Sequence, residues 1–232
     1  MKFLKLFHTT LVTLFATLNG VMIYLFILQF PYGIEPFLLS IRHWDKLGSR
    51  AGIAASVASI LAVTAIMATR KLSSTMKNRS LYLRKEFPHP ASNAFLTTRK
   101  QPFDSKQLLE AFPAVKDSGF SRRVQTETWE MVHRRQAEVP VVVNTRIHWE
   151  ILRDLYLLSL LFLAAFLIAW ALNAGIPFNI VSAYVFLFGA QSLFLMLTAR
   201  RVGFKLVDNA LAVDLGIEED KGKLGQATKK KR

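Results

Sequence analysis

The sequence contains no cysteine. This absence excludes disulfide bonds, thiolate metal sites and cysteine nucleophiles together. The five histidines are scattered without an HExxH motif, and the chain lacks GxxxxGK[ST], GxGxxG and GxSxG sequences. We therefore expect no catalytic residue, no metal ion and no cofactor, and we predict that the protein is not an enzyme.

Charged residues are missing from four long apolar stretches. A helix needs about 20 predominantly apolar residues to cross a hydrocarbon core of roughly 30 Å. The stretches run approximately over residues 9–30, 51–69, 155–172 and 180–198, in a chain that is 52% hydrophobic. This pattern predicts an all-α polytopic membrane protein with four transmembrane helices and a small helical cytoplasmic module.

The basic residues are unevenly distributed along the chain. Of the 30 Lys and Arg residues, 16 lie in residues 70–154 and nine lie in residues 199–232. Lys and Arg are retained on the cytoplasmic side of membranes. We therefore predict that both termini and the long middle segment lie in the cytoplasm.

This distribution divides the chain into four parts. The predicted order is a first transmembrane hairpin, a cytoplasmic helical module, a second transmembrane hairpin, and an amphipathic helix followed by a basic tail. These parts cover residues 1–70, 71–153, 154–199 and 200–232.

Within the module, single residues predict where helices begin and end. No Gly or Pro follows the second span before Phe87, so that helix is expected to continue to this point. Asp104 or Ser105 is predicted to cap a short helix, and Ser121 to cap a second one. A long helix is expected to begin near Val141 and to enter the third span. The stretch ARRVGFKLVDNALAV after the fourth span predicts a short amphipathic helix on the inner membrane face or on the helices that leave the membrane.

The formal net charge of +14 has a simpler explanation than nucleic-acid binding. Cytoplasmic Lys and Arg residues face anionic lipid headgroups, so we expect contacts with the bilayer and with a cytosolic protein. The terminal KKKR is interpreted as a solvated or lipid-facing end, and the acidic residues 218–220 as a solvated patch. The candidate partner or lipid contacts are Arg122, Arg123, Trp129, Arg134, Arg135, Arg200 and Arg201.

A few polar residues lie inside the spans. None is a Lys, Arg, Asp or Glu, which argues against an ion-coupled transporter. Asn19 and Gln191 fall near the middle of their spans, where each amide needs a partner. They could form an interhelical hydrogen bond, or they could line a water-filled path of an oligomer together with Ser56 and Ser59.

The second span carries small residues on one side of the helix. Alternating steps of four and three place five alanines on one seam, with bulky residues opposite. Small side chains allow close approach between membrane helices, so we predict a packing contact, within one chain or in a homo-oligomer. The seam consists of Ala51, Ala55, Ala58, Ala62 and Ala65.

Two stretches, FPHPASNAFLTTRKQPFD and ARRVGFKLVDNALAV, resemble segments of a group of uncharacterised bacterial membrane proteins. The shared features are a Pro-x-Pro, small-residue, Ala-Phe segment after a two-span hairpin and an Arg-x-x-Gly tail helix. The resemblance implies a four-span inner-membrane protein. It supplies no catalytic residues.

The functional hypothesis is a non-enzymatic inner-membrane component that couples the membrane to a cytosolic partner. By analogy with small proteins of this design, it would be a sensor or a membrane-perturbing effector of a stress or phage-defence system. Two alternatives stay open: a pore-forming or transporter subunit, and a scaffold subunit of an envelope or secretion complex.

Overall fold

The computed structural model describes residues 2–95, 101–172 and 175–217, with side chains from residue 6 onward. Most residues in these ranges are helical and none lies in a strand, which confirms the all-α prediction. A short 3-10 helix covers Pro90–Asn93. The α-helices are α1 (Lys2–Ile27), α2 (Ile34–Arg42), α3 (Trp44–Leu47), α4 (Ser49–Lys71), α5 (Ser74–Tyr82), α6 (Ser105–Ala111), α7 (Pro113–Asp117), α8 (Arg122–Arg135), α9 (Pro140–Leu172) and α10 (Phe178–Asp214).

Four of these helices are long and apolar enough to cross a bilayer: α1 from Leu6, α4, α9 and α10. They contain the second, third and fourth predicted stretches and most of the first, since α1 ends at Ile27 and the prediction extended to Phe30. The four-span prediction is confirmed. Helix α9 has 33 residues and α10 has 37. At 1.5 Å per residue they are about 50 and 55 Å long, some 20 Å more than the hydrocarbon core requires.

The chain forms two compact units. The first comprises Met1–Lys77 and Ile151–Thr198, and the second comprises Asn78–Glu150 and Ala199–Arg232, of which residues up to 217 are described. Helices α9 and α10 therefore contribute residues to both units.

Aromatic rings fill the core of the first unit. The ring of Phe26 lies 4.8 Å from that of Phe166 and 5.2 Å from that of Tyr184, in edge-on contacts. Phe166 also stacks on Phe188 at 5.4 Å. The Tyr184 hydroxyl donates to the Phe30 carbonyl at 3.1 Å, so the one polar atom of this cluster is satisfied.

Helices α1 and α4 approach closely at Gly20. A Cβ atom added there would lie 3.4 Å from the Ala58 carbonyl oxygen and 3.6 Å from the Ala62 Cβ. Small residues on both helices therefore permit this contact, as expected for helices that associate by van der Waals packing.

The core of the second unit combines α8, the first part of α9 and the last part of α10. Trp129 and Val132 of α8, Val142 of α9, and Leu206 and Leu211 of α10 are all buried. A buried glutamine of α8 forms a hydrogen bond with the segment before α6. Gln125 accepts a hydrogen bond from the Phe95 N–H at 3.2 Å and donates one to the Phe120 carbonyl at 2.8 Å.

The predicted helix from the second span to Phe87 is wrong. Helix α4 ends at Lys71, Leu72 is extended, and α5 begins at Ser74. The Ser73 hydroxyl accepts a hydrogen bond from the Met76 N–H at 3.3 Å. A serine side chain thus satisfies a backbone donor at the start of a new helix, and this competes with continuation of the old one.

The residues of the predicted tail helix are helical, but they belong to α10, which continues without a break from Phe178 to Asp214. Burial of Leu206, Val207 and Leu211 in the second unit stabilises the last third of α10. The KKKR end and residues 218–220 lie outside the described residues.

The remaining local predictions gave mixed results. Asp104 caps α6 by accepting from the Lys106 N–H at 3.2 Å, as predicted. Helix α9 begins at Pro140, one residue before the expected position. Ser121 occupies the N-cap position of α8, but its side chain makes no capping bond, so that part of the prediction is wrong.

Candidate functional site

Two amides meet in the middle of the first unit. Asn19 is only 1% exposed; its Oδ1 accepts a hydrogen bond from Gln191 Nε2 at 3.1 Å, and its Nδ2 donates to the Phe15 carbonyl at 2.9 Å. The structure therefore joins α1 to α10 through this pair. By contrast, Ser56 and Ser59 lie on the exposed surface of α4.

The alanine seam of α4 lies mostly in the interior of the first unit. Ala51, Ala58 and Ala65 are buried, and Ala55 and Ala62 are partly buried. Two of the five lie at the close approach to Gly20. The seam thus has a contact within one chain.

A buried ionic cluster forms where α1, α5 and α9 meet in the first unit. Asp154 Oδ1 lies 2.8 Å from Lys77 Nζ and 3.9 Å from Arg153 Nε, and its Oδ2 lies 3.3 Å from His8 Nε2. Lys77, Arg153 and Asp154 are all less than 10% exposed. We call these four residues the Asp154 cluster.

The Asp154 cluster carries more positive than negative charge. Buried ions are costly unless they are paired, and breaking such a pair typically costs about 3–5 kcal/mol. Here one carboxylate is shared by the cations of Lys77 and Arg153, so the cluster keeps a positive charge even with neutral His8. An anion is therefore the kind of ligand that its surroundings favour.

Sequence reasoning missed this cluster. Lys77 and Asp154 are 77 residues apart, and His8 lies still further away along the chain. The single available signal was Asp154 itself, an acid at the start of an apolar span beside Arg153.

In the second unit, Trp129 is a core residue. Its ring centre lies 4.4 Å from that of His89 and 4.8 Å from that of His133, and His89 also contacts the edge of Trp149 at 5.4 Å. Trp129 is only 7% exposed, so the prediction that it directly contacts a partner does not match its position. Burial lowers the pKa of His133, and the positive charge of Arg146 lowers it further.

Two of the predicted contact arginines are bound within the second unit. Arg135 Nη1 donates to both carboxylate oxygens of Asp214, each at 3.2 Å. Arg200 Nε donates to the Leu81 carbonyl at 2.7 Å. These side chains fasten the end of α10 to the rest of the unit.

The other predicted contact arginines are exposed. Arg123 pairs with Glu127 at 2.8 Å and Arg134 with Glu130 at 3.9 Å along α8. Exposed pairs along one helix contribute little to stability, because water and salt screen them, so they are easily exchanged for other partners. These exposed arginines are Arg122, Arg123, Arg134 and Arg201, and Arg135 is exposed as well although it pairs with Asp214.

The fold and these sites define a multi-pass membrane protein with a polar helical unit. A comparison of the chain with known protein families, curated proteins and solved structures found no match. Across the described side chains, no group of three His, Asp or Glu residues converges as metal ligands would.

Proposed function

We propose that the protein is a non-enzymatic membrane component that couples the bilayer to a cytosolic protein partner. The observation that supports this role is the continuity of α9 and α10. Each helix buries residues in the apolar first unit, such as Phe162 and Phe188, and others in the polar second unit, such as Val142 and Leu211. A change at the membrane end of either helix acts on an element that also forms the core of the second unit.

The exposed surface of α8 is the proposed partner contact. Arg134 lies one turn after Met131, which is 60% exposed, and Arg122 and Arg123 are exposed near the start of the same helix. Arg is enriched in protein interfaces, whose apolar core is bordered by polar residues. We infer an acidic partner surface with an apolar depression, because charge complementarity guides association.

This role places the second unit and both termini in the cytoplasm of a bacterial cell. A membrane sensor and a membrane-perturbing defence effector both fit the design, and a homo-oligomer is compatible with either. The sensor and the effector would both couple the bilayer to a cytosolic partner.

The test is quantitative affinity capture of cytosolic proteins by the full-length membrane protein. Replacement of Arg122, Arg123 and Arg134 by Ala should lower recovery of a specific partner about tenfold, equivalent to about 1.4 kcal/mol. Lys85, Lys106 and Lys116 are exposed cations outside α8, and their replacement by Ala is the matched control because it removes the same number of charges. Equal recovery by all variants would contradict the proposal.

A pore-forming role has one supporting feature, the exposed hydroxyls of Ser56 and Ser59. The position of Asn19 argues against a pore, because its amide is buried and hydrogen-bonded to Gln191. Replacing both serines by Leu should abolish ion flux if α4 lines a pore. Under the coupling role, the same variant keeps normal partner capture.

A further inference from the structure

A cavity of about 260 Å³ adjoins the Asp154 cluster inside the first unit. Its lining has two chemically different parts. The polar part contains His8, Thr9, Arg70 and Asp154, and the apolar part includes Val12 and Ile66.

One cation in the polar part, Arg70, has no partner within the described part of the chain. The Asp154 carboxylate already pairs with Lys77 and contacts His8. The exposed guanidinium of Arg70, in contrast, makes no hydrogen bond or ion pair with the described part of the chain. With Lys77 and Arg153 also close to Asp154, the surroundings of the cavity are positively charged.

The cavity lies at one end of a span. Arg70 and Lys71 are the last two residues of α4 and directly follow its uncharged segment. Basic residues at span ends lie at the level of the lipid phosphates, and basic pockets between membrane helices bind anionic headgroups.

We propose that this cavity binds an anionic phospholipid. The lipid phosphate contacts Arg70, with Thr9 and His8 beside it, and the first carbons of an acyl chain lie against Val12 and Ile66. The apolar wall favours a lipid over free phosphate, because Val12 and Ile66 offer an anion no donor. This site is independent of the partner surface on α8.

The test measures binding of phosphatidylglycerol by native mass spectrometry of the full-length protein released from phosphatidylcholine nanodiscs. Arg70→Gln should weaken binding about fivefold, because a basic residue near the membrane surface contributes about 1 kcal/mol. Lys71→Gln is the control, since Lys71 is exposed, carries the same charge and does not line the cavity. Equal losses in both variants would mean general attraction to anionic lipid and would overturn the proposal.

A second pair of variants leaves the charge unchanged. Thr9 lies on the cavity and is exposed, whereas the exposed Thr10 does not line it. Thr9→Trp should block the cavity and reduce phosphatidylglycerol binding, and Thr10→Trp should retain it. Unchanged binding in Thr9→Trp would overturn the proposal, as would displacement of the lipid by inorganic phosphate, which would identify the ligand as the free anion.

Discussion

Two aromatic side chains lie close to the backbone of α10 at Gly203. A Cβ atom there would overlap the Tyr82 hydroxyl and lie 2.8 Å from Trp149 Nε1, and both rings are buried. In an exposed helix, Gly→Ala stabilises by about 1 kcal/mol, whereas overpacking costs about 1–3 kcal/mol. We predict that Gly203→Ala lowers the thermal unfolding midpoint in detergent, with a net loss of up to about 2 kcal/mol.

The control for this prediction lies on the same helix. A Cβ atom added at Gly189 would meet no atom within 4 Å. Gly189→Ala should therefore leave the midpoint unchanged or raise it. If both variants shift the midpoint alike, the contact at Gly203 does not restrict the helix.

His133 makes the stability of the second unit dependent on pH. Burial first, and then the charge of Arg146, hold its pKa below the ordinary value of 6.5. Below pH 6.5 the unfolded chain takes up a proton that the folded state resists, so stability should fall as the pH drops from about 7 to 5.

The variant His133→Phe isolates this effect, because it retains the stacking on Trp129 without a titrating group. We expect thermal midpoints measured between pH 7 and 5 to fall less steeply in this variant than in the wild type. The exposed His148, replaced by Phe, is the control. An identical slope in wild type and His133→Phe would rule out His133 as the source.

Among the elements, the pair formed by α1 and α4 depends on small side chains. A leucine at Gly20 would have to displace the Ala58 backbone or the Ala62 side chain. We predict that Gly20→Leu separates these helices and costs about 1–3 kcal/mol in detergent unfolding experiments. Gly52→Leu on α4 should be tolerated, since a Cβ atom there meets no atom within 4 Å. The reverse order of the two effects would show that α1 and α4 pack differently.

Elements with strong local signals could be predicted from the sequence. Four uncharged apolar stretches and the prolines after Phe87 and before Val141 determine most of the helix pattern. The break at Leu72 was missed because it depends on one hydroxyl, that of Ser73, and no Gly or Pro announces it. Serine, unlike proline, is compatible with a helix interior. It starts a new helix only where the bond that its hydroxyl accepts from a backbone N–H competes successfully with continuation of the first helix.

The sites depend on contacts between distant parts of the chain, which residue patterns do not contain. Asn19 and Gln191 could be suggested as partners because two amides in apolar spans need each other. The link of Lys77 to Asp154 could not, because cations near span ends are common and most are solvated. Likewise, periodicity in the tail indicated an apolar helix side but not that Leu206 and Leu211 belong to the core of the second unit.

At the scale of the whole molecule, the four spans and the distribution of Lys and Arg predict the orientation in the membrane. Helix α2 precedes the second span and α6 follows it, so a single crossing separates them. Since the chain has no cysteine, one introduced thiol reports one position without background. Glu35 on α2 and Lys106 on α6 are exposed and suit this purpose.

We predict that Glu35→Cys reacts with a membrane-impermeant maleimide in intact bacterial cells stripped of their outer membrane. Lys106→Cys should react only after the inner membrane is permeabilised, because the basic connections stay in the cytoplasm. The unmodified protein, which lacks thiols, is the control for non-specific labelling. Labelling of Lys106→Cys in intact cells would reverse the orientation and place the exposed arginines of α8 outside the cytoplasm, where no cytosolic partner could reach them.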